Sequence, residues 1–148
     1  MDYKTKFKCL IIIAAILFAS MGLLYFIGHP VMVVGSSMKP TYKGGEILFT
    51  KVDFTKEDVK RGSVIVFKHN GKSYIKRVVA LPGETVEVKT DGVYINGTLS
   101  DDKPTKLTYS STTLGEDEFF AIGDNRDHSS DCREFGPIKF KEITNIAR

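Results

Sequence analysis

The chain has 148 residues, a net charge of +3 and two cysteines. Apolar residues make up 42% and charged residues 26% of the sequence, which excludes extensive disorder. The length allows one modest domain. The small positive charge does not predict a nucleic-acid partner. We expect neither metal nor cofactor, since the sequence has no zinc-spaced Cys/His cluster, phosphate-binding loop or dinucleotide fingerprint.

An uncharged segment occupies residues 9–28 and reads CLIIIAAILFASMGLLYFIG. As a helix it is about 30 Å long, the thickness of the hydrocarbon core of a bilayer. The preceding flank, residues 1–8, carries Lys4, Lys6 and Lys8, whereas the following HPVMVVGSS carries no lysine or arginine. The positive-inside rule therefore predicts a cytoplasmic N-terminus and an extracytoplasmic domain of residues 29–148.

The alternative for this segment is a cleaved secretory signal peptide. Such peptides have apolar regions of about 7–15 residues, shorter than this one. We therefore predict a single uncleaved anchor in the cytoplasmic membrane. On that interpretation Cys9 and Cys132 lie on opposite sides of the bilayer and form no disulfide.

The remaining chain has the pattern of a mainly β domain, a barrel or sandwich, behind one transmembrane helix. Short runs of strand-forming residues are separated by turn residues, and Asn70-Gly71 and Asp91-Gly92 are typical of hairpin turns. The predicted strands are residues 45–52, 63–68, 73–81, 85–89, 93–96 and 118–122. Thr55-Lys56-Glu57-Asp58 predicts a helical turn, Leu81-Pro82-Gly83-Glu84 a type II turn, and residues 98–115 a mobile loop.

A candidate nucleophile follows the anchor in the stretch GSSMKPT, residues 35–41. A serine hydroxyl such as that of Ser37 needs a base to take its proton. Lys76 is one candidate, because it lies among apolar residues of a predicted strand, where burial would keep its amine neutral. His128 is the second candidate, since Asp127 and Asp131 could orient it. Solvent exposure remains the usual state of a lysine, and residue pattern alone leaves the choice of base open.

Three blocks, in this order behind the anchor, carry a family resemblance: GSSMKPT at 35–41, YIKRVVALPGE at 74–84 and GDNRDHSSDCREFGPI at 123–138. Together they resemble the type I signal peptidases, membrane-bound serine proteases that remove signal peptides. The resemblance implies a signal-peptidase-like β domain. It also implies an endopeptidase at the outer face of the cytoplasmic membrane. Its partners would be secretory preproteins with Ala-x-Ala-like cleavage sites.

The resemblance assigns Ser37 as nucleophile and Lys76 as general base, with the Ser37 N–H in the oxyanion hole. Ser129 matches a serine that hydrogen-bonds the catalytic lysine. The other matched positions support the site: Asp124, Arg126, Asp131 and Arg133, with Arg77 pairing one of these aspartates. Met38 and Ile75 are candidates for the wall of the substrate pocket, although ordinary core packing explains both equally well.

The sequence departs from the family pattern at three positions. Gly35 stands where some members have a serine that adds an oxyanion donor, so the hole here would rely on backbone N–H groups. His128 replaces the usual asparagine and Cys132 the usual serine. Two other functions stay open: a specialised Ser-Lys peptidase for a pilin or conjugation protein, and a membrane-tethered domain that binds without cutting.

Overall fold

The computed structural model describes residues 2–148, and the side chains of residues 2–22 and 28–148. Helix α1 spans Tyr3–Ile27 and contains most of the predicted anchor segment. Among the described residues it is the one helix long and apolar enough to cross a membrane. Its apolar side chains up to Met21 are exposed, as expected for a surface that faces lipid.

Behind α1 lies a mainly β domain, which confirms the predicted fold class. Its strands are β1 His29–Met32, β2 Ile47–Lys51, β3 Val64–His69, β4 Lys72–Ala80, β5 Thr85–Lys89, β6 Gly92–Ile95, β7 Thr98–Asp101, β8 Tyr109–Thr113, β9 Glu118–Ile122, β10 Ile138–Lys139 and β11 Ile143–Ala147. A short helix α2, Cys132–Phe135, and three 3₁₀ turns, Lys56–Asp58, Arg126–His128 and Phe140–Glu142, complete it.

The strands form two antiparallel sheets. The larger has the order β1-β2-β11-β3-β4-β9-β10 and the smaller the order β7-β6-β5-β8. The β3–β4 hairpin turns at Asn70-Gly71, where both residues have positive φ as predicted. The second hairpin also forms, but its register places Lys89 opposite Gly92, so its turn residues are Thr90 and Asp91.

Apolar side chains from both sheets share one core. Ile65, Phe67, Val78 and Phe120 of the large sheet and Val86 of the small sheet are fully buried in it. A second, smaller cluster joins Val33, Met38, Leu48 and Val64 below the turn that carries Ser37. Burying a methionine contributes about 1.5–3 kcal/mol, so Met38, which is 1% exposed, fastens this turn to the sheet.

The prediction of a mobile loop over residues 98–115 is wrong. The structure has β7 and β8 there, paired with β6 and β5. Both strands lie at the edges of the small sheet and keep most of their side chains in solvent, so they lack the apolar alternation by which strands are recognised. Between them Thr105 is buried, which fixes the connecting segment to the domain.

Candidate functional site

The turn that carries Ser37 is held by its own backbone and by the core. The Lys39 N–H donates to the Ser36 carbonyl at 3.1 Å, and the Tyr42 N–H donates to the Met38 carbonyl at 2.9 Å. Because Met38 fills the small core cluster, the neighbouring Ser37 is left half-buried at the wall of a cleft. The sequence thus places a hydroxyl on a fixed turn.

Strand β4 positions Lys76 opposite this hydroxyl. Lys76 pairs with Ile65 of β3 in the middle of the large sheet and is 4% exposed. Its Nζ lies 2.7 Å from Ser37 Oγ and donates a second hydrogen bond of 2.9 Å to the Ile75 carbonyl. Residues 39 positions apart in sequence are therefore brought into direct contact.

The surroundings of Lys76 favour its neutral form. Burial lowers the pKa of Lys76 below its ordinary value. The negative charge of Asp131 opposes this shift, and the positive charge of Arg133 adds to it. None of the salt bridges between described side chains includes Lys76. A neutral amine has a lone pair that can accept the proton of Ser37.

The loop after β9 fastens the backbone around Ser37. The Asn125 N–H donates to the Ser37 carbonyl at 2.9 Å, and Asn125 Nδ2 donates to the Ser36 carbonyl at 3.1 Å. At Gly123 an added Cβ would lie 2.2 Å from Ser129 Oγ and 2.6 Å from the Ser37 carbonyl oxygen. A glycine is therefore required for this approach.

Ser129 contacts a carboxylate. Its hydroxyl donates to Asp131 Oδ2 at 2.6 Å, whereas the hydrogen bonds of Lys76 Nζ run to Ser37 and Ile75. The direct hydrogen bond from Ser129 to Lys76 that the resemblance implies is therefore not formed among the described residues. Ser129 orients Asp131, whose charge acts on Lys76.

Asp131 and Arg133 form a fully buried ion pair. Arg133 Nε donates to Asp131 Oδ1 at 2.8 Å and Arg133 Nη2 to Oδ2 at 2.8 Å. The Gly123 N–H donates to Oδ2 at 2.9 Å. Burial by itself would raise the pKa of Asp131, but the hydrogen bonds from Arg133, Gly123 and Ser129 together hold it below the ordinary value. The carboxylate is thus charged and paired.

Three arginines connect the residues after β9 to other elements. Arg126 Nη2 donates to Asp101 Oδ2 of β7 at 2.5 Å, and Arg133 Nη1 donates to Thr105 Oγ1 at 2.7 Å. Arg77 on β4 pairs with Asp124, through Nε at 2.8 Å and Nη2 at 2.7 Å. The partner of Arg77, which the sequence left open, is therefore Asp124.

Sequence reasoning missed several partners in this network. Thr41 donates to Asp124 Oδ2 at 2.6 Å, and Asn125, Asp101 and Thr105 make the contacts given above. Asn125 lay within the third family block, and Thr41 within the first. Asp101 and Thr105 lie in the segment predicted as a loop, and no local signal marked them.

The cleft has a volume of about 390 Å³. Its walls are residues 31–38 on one side and residues 73–76 of β4 on the other, with Val66, His128 and Ser130. Met38 and Ile75, the predicted pocket residues, both line it. Exposed His128 lies at the same cleft, but the hydrogen bonds of Ser37 do not include its ring.

Gly35 has a φ of +85°, which a serine would adopt only under strain. Among the described residues, the Ser37 N–H has no hydrogen-bond acceptor. Cys132 is buried and accepts the Ala121 N–H at 3.3 Å. Burial raises the pKa of its thiol to about 12, so it carries no charge at neutral pH.

Within residues 2–22 and 28–148, no group of three or more His, Cys, Asp or Glu side chains is placed to hold a metal.

A mainly β domain behind an apolar helix, with a serine hydroxyl against a buried lysine, defines a class of protein: the membrane-anchored serine peptidases. A family model described as "Signal peptidase, peptidase S26" matches residues 5–148. The Bacillus subtilis signal peptidase I V is 33% identical over 134 residues, 77% of this chain and 80% of that protein. The Bacillus licheniformis signal peptidase I is 36% identical over 141 residues, 83% and 76% of the two chains.

A solved signal peptidase I from Enterococcus faecalis V583 aligns with 59% of this chain and 94% of that chain, at 33% identity and a TM-score of 0.48. The chain belongs to the signal peptidase family, peptidase S26. Its activity is the removal of signal peptides, and its N-terminal apolar helix is a membrane anchor.

Proposed function

We propose that this chain removes signal peptides from exported preproteins at the outer face of the cytoplasmic membrane, with Ser37 as nucleophile and Lys76 as general base. The observation that carries the proposal is the 2.7 Å contact between Lys76 Nζ and Ser37 Oγ inside a cleft. The lowered pKa of Lys76 supports it, because only the neutral amine can accept a proton.

The reaction is acyl transfer in two steps. Lys76 takes the proton of Ser37 while Oγ attacks the scissile carbonyl, and the ammonium then protonates the leaving amine. A water molecule, deprotonated by Lys76, releases the signal peptide from Ser37 in the second step. The Ser37 N–H, which has no acceptor among the described residues, supports a role as donor to the oxyanion.

Cleavage of a preprotein by the detergent-solubilised full chain tests the dyad. Ser37→Ala and Lys76→Ala each remove one reacting group, and we expect each to lower kcat/KM by at least about 10³-fold. Lys72→Ala is the matched control, because Lys72 is an exposed lysine of the same strand. Parental rates in both variants would show that the dyad is wrong, whereas no cleavage by the parent itself would support a domain that binds without cutting.

The pH dependence of the rate separates the two candidate bases. With Lys76 as base, the rate rises with pH through its depressed pKa and is lost in acid, because protonation blocks the lone pair. A rate controlled by a group with an ordinary histidine pKa, and lost in His128→Ala, would assign the role to His128 instead.

We propose that the N-terminus lies in the cytoplasm and the catalytic domain outside it, an orientation that the three lysines before the apolar segment support. Labelling with a membrane-impermeant maleimide tests it, in a Ser100→Cys variant that also carries Cys9→Ser. Ser100 is exposed, and the remaining Cys132 is buried and so silent. We expect the maleimide to label right-side-out vesicles without permeabilisation. Labelling only after permeabilisation would mean that the chain has the opposite orientation.

Substrate selection is proposed to follow an Ala-x-Ala-like pattern. Met38 and Ile75 line the cleft beside Ser37 and support small side chains at the positions before the cut. Replacing those alanines of a preprotein with leucine should abolish cleavage. Equal cleavage of the leucine substrate would show that this cleft does not select small residues.

A further inference from the structure

One side chain from the loop after β9 reaches the peptide bond that precedes the nucleophile. Asn125 Nδ2 donates to the Ser36 carbonyl oxygen at 3.1 Å, and the N–H of Asn125 donates to the Ser37 carbonyl oxygen at 2.9 Å. The Ser36 oxygen also accepts the Lys39 N–H at 3.1 Å, within the turn itself. A carbonyl oxygen has two lone pairs, so the donors from Asn125 and Lys39 occupy both.

These contacts fix the direction of the Ser37 N–H. The Ser36 carbonyl and the Ser37 N–H belong to one trans peptide unit, which is planar and whose C=O and N–H bonds therefore point in opposite directions. Asn125 and Lys39 hold the oxygen on their side, so the N–H is turned away from them. Ser36 and Ser37 both line the cleft, and among the described residues the Ser37 N–H has no acceptor.

We propose that Asn125 is a positioning residue of the reaction: its side-chain amide holds the Ser36–Ser37 peptide so that the Ser37 N–H faces the oxyanion. This inference rests on the proposed function, in which that N–H stabilises the oxyanion. Gly35 brings no hydroxyl to the site, so the direction of a backbone N–H matters more here than in a chain with a serine at that position.

Loss of the Asn125 amide should act on the transition state. The Ser36 oxygen would keep only the Lys39 N–H, and the peptide unit could then rotate. A hydrogen bond weakens steeply when its donor is misaligned, and the oxyanion forms only as the reaction proceeds. Removing a whole oxyanion donor costs about 10²–10³ in rate, so misaligning one should cost at least about tenfold in kcat.

Kinetics of the full chain in detergent, with a soluble peptide substrate, test this expectation. Asn125→Ala removes the amide, and Asn125→Asp keeps its shape but at neutral pH cannot donate. We expect both to lower kcat at least about tenfold and to leave KM within about twofold of the parent. Asn145→Ala is the matched control. It loses an amide hydrogen bond to Thr50 Oγ1, neither residue lines the cleft, and kcat should stay parental.

A peptide aldehyde separates positioning from a general loosening of the site. Ser37 Oγ adds to the aldehyde carbon, the Oγ proton passes to Lys76, and the carbonyl oxygen becomes the negatively charged oxygen of a tetrahedral adduct. The corresponding peptide alcohol occupies the same cleft but forms no oxyanion. We expect Asn125→Ala to weaken the aldehyde at least about tenfold and the alcohol less than about twofold. A merely structural role would weaken both alike.

The acid limb of the rate profile gives an independent readout. The hydrogen bonds of Lys76 Nζ run to Ser37 and Ile75, so Asn125→Ala should keep the parental midpoint of that limb. A shifted midpoint, parental kcat in both Asn125 variants, or equal weakening of aldehyde and alcohol would overturn the proposal while the dyad stands. Peptide cleavage that survives in Ser37→Ala would overturn the proposed function itself.

The parent alone supplies a last test, which decides the matter even if neither Asn125 variant folds. The Ser37 amide proton is assigned by NMR of ¹⁵N-serine-labelled protein, from its absence in Ser37→Ala. It should move downfield when the aldehyde adduct forms and stay in place with the alcohol, because only the adduct offers it a charged acceptor. An unmoved signal in the adduct would overturn the proposal.

Discussion

Two regions of the site each bury a basic side chain, but only one of them pairs it with a carboxylate. At the start of α2, Arg133 is buried against Asp131 with two hydrogen bonds of 2.8 Å. In the cleft wall, Lys76 is buried against a hydroxyl and a backbone carbonyl. A buried guanidinium stays charged and needs a carboxylate, whereas a buried amine can release its proton.

Strand β4 shows the same contrast between adjacent residues. Arg77 faces Asp124, and the hydrogen bonds to that carboxylate raise the pKa of Arg77. Lys76 lies on the opposite face of the strand, where burial lowers its pKa. The carboxylate of Asp124 therefore keeps Arg77 charged and in a structural role. Lys76 contacts a hydroxyl and a carbonyl instead and can act as a base.

The largest expected effect comes from giving the cleft wall a permanent charge. Lys76→Arg places a guanidinium, which does not deprotonate, beside Ser37. We expect a loss of at least about 10³-fold in kcat/KM at every pH up to 10. Lys72→Arg, an exposed position on the same strand, should keep parental activity. Recovery of Lys76→Arg at high pH would show that residue 76 is not the base.

The next effect removes the carboxylate from the paired region. Asp131→Asn leaves Arg133 buried without its counter-charge, and we expect the free energy of unfolding to fall by about 3–5 kcal/mol. Urea denaturation followed by circular dichroism measures the change. Asp102→Asn, at an exposed aspartate, is the control. A change below about 1 kcal/mol would mean that the pair contributes no more than surface ion pairs do.

A smaller effect is expected at the contact between the loop and the segment before β8. Thr105→Val removes the acceptor of Arg133 Nη1 and should cost about 1–3 kcal/mol. Thr105→Ser keeps the hydroxyl and should recover most of that loss. Equal unfolding free energies for the valine and serine variants would exclude a role for the hydrogen bond.

The smallest effect has the opposite sign. Lys76→Met replaces a desolvated amine with an apolar side chain, and we expect an inactive protein that is about 0.5–2 kcal/mol more stable at neutral pH. Because the folded pKa of Lys76 is depressed, the unfolded parent binds more protons between the two pKa values, so parental stability rises with pH there. The stability advantage of Lys76→Met over the parent should therefore shrink as the pH rises. Denaturation curves at several pH values measure it; a constant difference would contradict the burial of the amine.

Much of this arrangement was predictable from local sequence. The uncharged segment predicted the anchor helix, and Asn70-Gly71 predicted the hairpin that leads to Lys76. Strand β11 was not predicted, because its neighbours in the large sheet, β2 and β3, come from distant parts of the chain. Strand β1 was also not predicted, although it pairs with the next strand, β2. The edge strands β7 and β8 were mistaken for a loop because they bury few side chains.

In the site, too, local features could be predicted from the sequence and long-range contacts could not. Residue pattern made Ser37 and Lys76 candidates, but the choice of Lys76 over His128 came only from the ordered family blocks, since an apolar neighbourhood does not show that a lysine is buried. The choice of Asp124 as the partner of Arg77 depends on a contact across 47 residues. The contact of Thr105 with Arg133 spans 28 residues and joins the small sheet to the site loop. Sequence spacing carries no record of such contacts.

The most direct test is a titration of the Lys76 amine in the full-length protein, by NMR of ¹³C-labelled lysine Cε groups in detergent. The Lys76 signal is assigned by its absence in Lys76→Met. We predict that burial makes it titrate below the ordinary lysine pKa of 10.5. A Lys76 signal that titrates at or above that ordinary value would contradict the neutral amine on which the proposed chemistry depends.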